Sequence, residues 1–481
     1  MKNNEKSIKI NYIYNLTYQI LSIITPLITA PYLSRVLKAD GIGEYSYTGS
    51  LVAYFIMVAA LGTLNYGNRE ISYLQNDRKK RTKVFWEIEL LSMASVAVVL
   101  CAYFVFLIFY KEHRTLLLIQ SLCLISVAMD IAWLLQGLEE FGKVIGRNIF
   151  FKVVNIAFIF IAIKSKEDLL LYVLGMCVME LLSNMSIWLY VPKFVDRPVL
   201  RELRPFSHLK ATCSLFVPTI ATTIYTMMDK TMLGLFSDGC YENGYYEQAT
   251  KLSKMTLTIV TALGTVMIPR IGKYFGEGKE EKVKDLLYES FRFVWFMGLP
   301  LCFGLMGVSY NFVPWFYGEG FEPISDLLII LALLIPIIGI SNVIGIQYLI
   351  TTRREKLLSK SVFAGAMVNI MLNCALIPFF YSNGAAVASV IAELVITIMQ
   401  LWYVRKELSI RKIFYMSRNY IISSIAMLPV LYLENGLLTS NIINTICMIA
   451  SGFLIYIGIL LLLKDKFLMK LLKTIEAKIK K

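Results

Sequence analysis

The chain is poor in charge, in histidine, in paired cysteines and in long polar stretches. Only 17% of its 481 residues are charged. A mean hydropathy of +0.62, with 57% hydrophobic residues, excludes an ordinary soluble domain. The two histidines, His113 and His208, lie outside the apolar runs, which counts against acyl-transfer chemistry built on a buried imidazole base. No G-x-x-x-x-G-K-S/T phosphate loop occurs, so ATP does not drive this chain directly. Eight cysteines are scattered singly along the sequence, with no close pair. That spacing suits small apolar packing residues and argues against a disulfide framework or a zinc site. The gaps between apolar runs are too short for a catalytic domain. We expect no enzyme site, no metal and no cofactor.

What the chain has is apolar runs, fourteen of them, between residues 11 and 463. A helix needs about 20 apolar residues to cross the hydrocarbon core, so the expected fold class is an all-α polytopic membrane protein with about fourteen transmembrane helices. The first run is longer than the core of a signal peptide and is interrupted by Asn11, Asn15, Thr17 and Gln19, so it is expected to remain as the first helix. Lysine and arginine crowd into every second gap. The alternate gaps hold only Lys38, Lys111, Arg114, Lys164 and Lys166. Basic residues accumulate on cytoplasmic loops, so both termini are expected in the cytoplasm of a bacterial cell membrane. The net charge of +14 is distributed over many short loops and a basic amphipathic tail at 464–481. Anionic membrane lipids are therefore the expected partners of this charge, and nucleic acid is not.

A weak ordered repeat divides the runs. Glu180, Tyr190-Val191 and Lys193 are matched by Glu393, Tyr403-Val404 and Lys406. Gln136 and Val154-Asn155 resemble Gln347 and Val368-Asn369, and Pro26 with Arg35 resembles Pro218 with Lys230. Six spans per half give both halves the same orientation, a parallel repeat of the kind found in transporters. The expected domains are an N-terminal lobe at 1–195, a C-terminal lobe at 212–406 and two further helices at 414–463. Two pseudo-symmetric six-helix lobes would then surround a central cavity. Pro26, Pro218, Pro300 and Pro336 would bend helices that rock or open.

A charge at the bilayer centre costs about 2.5–3.5 kcal/mol on insertion scales, so such residues usually face a cavity or a partner. Arg35, Lys152, Lys230, Lys251, Lys254 and Arg292 lie within the runs or at their ends, with Arg69 and Arg270 in neighbouring gaps. Snorkelling to the headgroups is the alternative role for Lys152, Lys251 and Arg292 taken singly. Lys230 stands about six residues, roughly 9 Å, from its helix end and beside Asp229, and is expected to line a cavity. The intramembrane carboxylates are Asp130, Glu180, Asp229 and Glu393. Each can brace a helix pair, or bind a proton or a cation such as Na+ for coupling.

Several motifs resemble those of bacterial oligosaccharide flippases. Pro31-Tyr32-Leu33-Ser34-Arg35-Val36-Leu37 with Gly41 to Tyr45 is similar to that family's exit from span 1. Tyr66-Gly67-Asn68-Arg69-Glu70-Ile71 is similar to its Tyr-Gly-x-Arg-Glu signature, and Trp133 to Glu140 to its span 4 exit. Asp229-Lys230 with Leu233-Gly234 resembles its span 7, and Gly384-Ala385-Ala386 leading to Glu393 its span 12. The resemblance runs the whole chain and is to Wzx-type flippases of the multidrug/oligosaccharidyl-lipid/polysaccharide exporter superfamily. It implies translocation of a polyprenyl-pyrophosphate-linked glycan, with a glycan polymerase and chain-length proteins as partners. On this reading Arg69, Lys152, Arg270 and Arg292 receive the headgroup, and Arg35, Lys230, Lys251 and Lys254 hold it in the outward-open state. The alternatives are a cation-coupled exporter of small amphiphiles, with a carboxylate as ion site, and a scaffold for glycan enzymes. Drug-exporting members commonly carry an acid in span 1, and span 1 here has none.

Overall fold

A computed structural model describes residues 2–237 and 239–479; among these, side chains are described from residue 20 onward with a few exceptions, and at Thr17. Among the described residues there is helix and no strand. Eleven stretches are long and apolar enough to cross a membrane. Two of them hold two helices each, and Leu209–Phe236 adds another, which gives the fourteen segments expected from the hydropathy pattern.

Lys2–Ala60 is two helices that meet at a kink at Lys38, where φ is 59° and ψ is 178°. Its arms are α1 (residues 2–37) and α2 (residues 39–60), and α2 resumes after a turn at Leu61 and Gly62 as Thr63–Tyr73. There follow α3 (Arg78–Phe109), α4 (Arg114–Met129, then Ala132–Gly137), α5 (Phe141–Ala162) and α6 (Leu169–Ile187). Next come α7 (Leu209–Phe236), α8 (Tyr241–Gly276), α9 (Glu280–Tyr317) and α10 (Pro323–Ile350). Glu355–Val404 repeats the first device: Tyr381, with φ at 47°, separates α11 (residues 355–380) from α12 (residues 382–404). The series closes with α13 (Ile410–Leu437), α14 (Ile442–Leu462) and the tail helix α15 (Lys466–Ile479). Positive φ at a lysine and a tyrosine costs on the order of 1–3 kcal/mol each, which the packing around each kink must offset. Pro218 lies in α7, but its side chain is outside the described residues.

The polar residues at the helix ends explain several boundaries. Asp77 caps α3 by accepting from Lys80 N at 3.0 Å, and Asn441 caps α14 by accepting from Asn444 N at 2.8 Å. Where the pattern predicts one helix over 115–137, the structure breaks at Asp130 and Ile131. The Asp130 carboxylate accepts from Ala132 N at 3.1 Å and so starts a second short helix. In α10, residues Val343–Ile350 widen into a π-helix, a form often found at functional positions.

The chain divides into two compact units. The first comprises residues 1–234 and 239–244, the second residues 235–238 and 245–481. The repeat starts its second lobe at 212, whereas compactness groups α7 as far as Gly234 with the first unit. The first unit has one core around Tyr66, Phe85, Trp133 and Val191 and another around Val52, Tyr103 and Leu124. The second has a large core running from Val260 through Trp295, Ile344 and Tyr420 to Leu468.

The segment after α6 belongs to the first unit as well. Arg78 Nη2 meets Asp196 Oδ1 at 2.8 Å, and Trp86 Nε1 donates to Asp196 O at 3.0 Å. Arg81 is buried and donates to the carbonyls of Phe194 and Gln75. Hydrogen bonding to the Arg78 guanidinium holds the Asp196 carboxyl below its ordinary range.

Candidate functional site

Within the first unit, α2, α4, α5 and α6 enclose a cavity of about 350 Å³. Gln120 and Cys123 line it from α4, Lys152 and Asn155 from α5, and Cys177, Glu180 and Ser183 from α6. Lys152 Nζ donates to Ser22 Oγ of α1 at 2.7 Å. Pro26 stands one turn beyond that serine and cannot bond back to its carbonyl, which opens the helix there. Glu180 reaches beside Cys123, while part of its side chain is exposed. Gln120 Oε1 and Asn155 Oδ1 are buried acceptors with no hydrogen-bond partner. A cavity with one cation, one carboxylate and two unmet acceptors suits hydroxyl or ammonium donors better than apolar guests.

Lys152 and Glu180 are therefore the two expected site residues that share a cavity. The others are distributed. Arg35, Arg69 and Lys230 also belong to the first unit, and Lys251, Lys254, Arg270 and Arg292 to the second. Arg35 is exposed and its Nη1 donates to Pro31 O at 2.6 Å. Arg69 pairs with Glu70 at 3.0 Å and lies 5.2 Å from the Tyr66 ring centre. Lys230 is half-buried beside buried Asp229, and its carbonyl accepts from Asn243 Nδ2 at 3.0 Å. Lys251 meets Glu247 at 3.0 Å, which gives it a local partner one helical turn away. Lys254 and Arg270 are exposed on α8. Arg292 acts on Tyr420, whose hydroxyl approaches Asp465 at 3.3 Å, so it stands in a structural cluster near the start of the tail helix. Glu393 is half-buried, with its carbonyl accepting from Thr397 Oγ1.

At the opposite end of the first unit from its 191–208 segment, α2 packs against α7 and the start of α8. Ser50 Oγ meets Thr231 Oγ1 at 2.9 Å and Tyr54 Oη meets it at 3.1 Å. Two glycines permit backbone contact. A Cβ on Gly43 would stand 1.6 Å from Cys240 O, and one on Gly244 would stand 2.2 Å from Ala39 O. His113 closes the same region, with Nδ1 3.4 Å from Glu44 Oε2 and Nε2 3.7 Å from Cys240 Sγ. Hydrogen bonds to Cys240 and Glu44 outweigh partial burial and push the His113 imidazole up to about 10.

Sequence reasoning missed three features. Glu87 and Glu89, near the start of the third run, are both buried. Glu87 Oε2 takes a contact from His208 Nε2 at 2.9 Å, and the Tyr66 hydroxyl meets His208 Nδ1 at 2.7 Å. The signal was available as two acids inside an apolar run; their partner, more than a hundred residues away, was not. Cys123 and Cys177 are free, with sulfurs 3.0 Å apart, a pairing that linear spacing cannot show.

Apolar helices of spanning length, with charges buried among them, define a multi-pass membrane protein. The chain belongs to the polysaccharide biosynthesis protein family, whose model matches residues 8–275. The MatE model matches residues 215–375. The chain is 22% identical over 419 residues to the "Putative O-antigen transporter" of Escherichia coli (strain K12), covering 85% of this chain and 99% of that one. It is 25% identical over 282 residues to the "Probable low-salt glycan biosynthesis flippase Agl15" of Haloferax volcanii, covering 58% of each. Among solved structures, lipid II flippase MurJ in an inward closed conformation matches with a TM-score of 0.75 at 17% identity, over 95% of this chain and 99% of that one. An inward-facing multidrug resistance MATE family transporter matches with a TM-score of 0.59 at 15% identity, over 82% and 99%. These establish the expected MATE-like helical fold.

Proposed function

We propose that this protein is a flippase. It carries polyprenyl-pyrophosphate-linked oligosaccharide units from the cytoplasmic to the outer leaflet of the bacterial cell membrane for surface polysaccharide assembly. The observation that carries this reading is a family match over more than half the chain, together with relatives named for O-antigen transport and glycan flipping. The charge alternation between gaps supports cytoplasmic termini. The α2, α7 and α8 contacts around Gly43 and Gly244 are then the outer closure, which separates when the substrate leaves.

A sugar headgroup cannot cross hydrocarbon unaided, while the prenyl tail remains in lipid. A pyrophosphate carries roughly two negative charges and needs fixed donors in place of its water, for which lysine and arginine are suited. Arg69, Lys152 and Arg270 receive it from the cytoplasmic side, and Arg35, Lys230, Lys251 and Lys254 hold it near the outer ends. Arg292 supports the inner set from its place beside Tyr420. An inside-negative potential favours outward movement of an anion by about 2.3 kcal/mol per charge per 100 mV, so two charges gain about 4–5 kcal/mol. The basic tail helix lies on anionic lipid headgroups, and a glycan polymerase with its chain-length proteins takes the product.

Lys230→Ala and Arg35→Ala test this reading. Each is expected to lower surface glycan at least tenfold at normal membrane levels, with Lys230→Arg retaining part of the export. Full export by both alanine variants would overturn the cationic path.

A further inference from the structure

The cavity of the first unit is kept open by a residue without a side chain. Gly49 of α2 lines it, and a Cβ built there would meet no atom within 4 Å. Gly67 and Gly175 serve a different purpose, as spacers for close contact. A Cβ on Gly67 would stand 2.5 Å from the Trp133 ring, and one on Gly175 2.1 Å from the Phe158 ring. Gly49 makes no such approach, yet a glycine inside a helix costs about 0.5–1 kcal/mol against alanine. What it supplies is room in the cavity.

The lining sets what that room can hold. Lys152 brings an ammonium and Glu180 a carboxylate, so the cavity carries both signs. A bare anion would be repelled by Glu180 and a bare cation by Lys152. An apolar guest would strip water from both. A neutral ligand rich in hydroxyls avoids all three penalties, because each hydroxyl donates and accepts. Gln120 and Asn155 add amides. Gln120 is fixed by donating Nε2 to Thr48 Oγ1 at 3.1 Å, while its Oε1 has no hydrogen-bond partner. Phe151 and Tyr45 add aromatic rings, with Tyr45 set edge-on to Tyr172 at 5.3 Å between centres. Mixed polar groups beside aromatic faces match a sugar ring, whose hydroxyls surround apolar C–H faces. Ligand sites run from about 300 to about 1,000 Å³, so the 350 Å³ here suits one ring rather than a chain.

We propose that this cavity is a subsite for a single neutral sugar ring of the translocated glycan. Lys152 donates to ring hydroxyls, Glu180 and the amide oxygens accept from them, and an aromatic ring covers one C–H face. That the sugar belongs to a glycan in transit rests on the flippase reading; the binding itself does not. The subsite selects the identity of one ring, since a hydroxyl of the wrong configuration leaves a polar group of the lining unmet. It does not read the length of the glycan.

Binding is measured on the purified full chain, without transport. The probes are N-acetylglucosamine, methyl galactoside and, as a zwitterion, glycine betaine. Saturation-transfer NMR should show protein contact for the ring protons of at least one sugar in wild type. Gly49→Leu fills the cavity and should weaken that binding about tenfold, with an unfolding temperature no lower than wild type. Glu180→Gln, which keeps the shape, should weaken it as well and carries the test if Gly49→Leu unfolds early. No sugar signal, undiminished binding in both variants, or a signal from betaine alone would overturn the subsite. In cells, Gly49→Leu should lower surface glycan at least tenfold at normal membrane levels, with Gly49→Ala retaining part of the export. Wild-type export by Gly49→Leu while Lys230→Ala and Arg35→Ala fail would overturn the subsite's part in transport and leave the flippase reading standing. Full export by all three would overturn the cationic path as well, with sugar binding still measured separately.

Discussion

The two units treat buried polarity differently. The first holds Glu89, Asp130, Lys152, Glu180 and the Asp229–Lys230 pair within or against its helices, and its cavity leaves two acceptors unmet. In the second, the region around the π-helix of α10 is built mainly from amides and hydroxyls. Ser341 Oγ donates to Gln400 Oε1 at 3.1 Å, Gln400 Nε2 to Ser361 Oγ at 3.3 Å, and Gln347 Nε2 to Asn342 Oδ1 at 3.4 Å. A two-pronged ion pair stands outside the spans, where Arg354 grips Glu407 with both guanidinium nitrogens at 2.7 and 3.0 Å. Burial raises the Glu407 carboxyl, but the Arg354 fork and the Tyr348 hydroxyl outweigh it and leave it below its ordinary value. The two regions are therefore built from different chemistry. The first unit places titratable groups around its cavity, whereas the region around the π-helix of the second packs neutral ones.

That contrast can be broken by substitutions in either unit. The largest effect is expected at the closure of the first unit. Gly43→Leu places atoms where the Cys240 carbonyl now stands, and overpacking of this kind costs about 1–3 kcal/mol. Surface glycan export should fall at least tenfold with protein still present in the membrane. Export at the wild-type level would show that this contact is not part of the cycle. Next comes the 205–208 attachment. His208→Ala leaves buried Glu87 without its imidazole, at a cost of about 1.5–3 kcal/mol by the value of a charge-assisted hydrogen bond. Thermal unfolding should show it. In the second unit, Ser341→Ala removes one donor from a neutral network and should cost only about 1 kcal/mol, with export unchanged; a tenfold export defect there would erase the distinction between units.

The smallest effect is pH-dependent. His113 is pushed up to about 10, above its unfolded value, so its contribution is fully present below about pH 6.5 and is lost as pH rises through about 10. The group is partly solvent-screened, which limits the contribution to about 1 kcal/mol. Wild type should exceed His113→Gln in unfolding temperature in mild acid, and the difference should close in alkali. A gap that widened with pH would mean that His113 is neutral in the fold.

Much of the architecture was legible in the residues. Fourteen spans follow from apolar length, and two of the predicted gaps are single-residue kinks, at Lys38 and Tyr381. Other features were not legible because hydropathy averages over a window. Asp130 breaks α4 with one side-chain hydrogen bond, which does not change the apolar content of its run. Lys251 has Glu247 beside it, a local partner that no hydropathy window registers. Glu87 reads as a span end until His208 returns to meet it.

The sequence alone determined that this chain crosses a membrane many times, which face its basic gaps favour, and which family it resembles. Those properties depend on composition, period and local order, which the linear chain carries. Tertiary structure decided which charges share a cavity and which are matched by a neighbour. The reason is physical. The state of a buried charge depends on the few groups within hydrogen-bonding reach, and in a helical membrane protein most of those arrive from other helices.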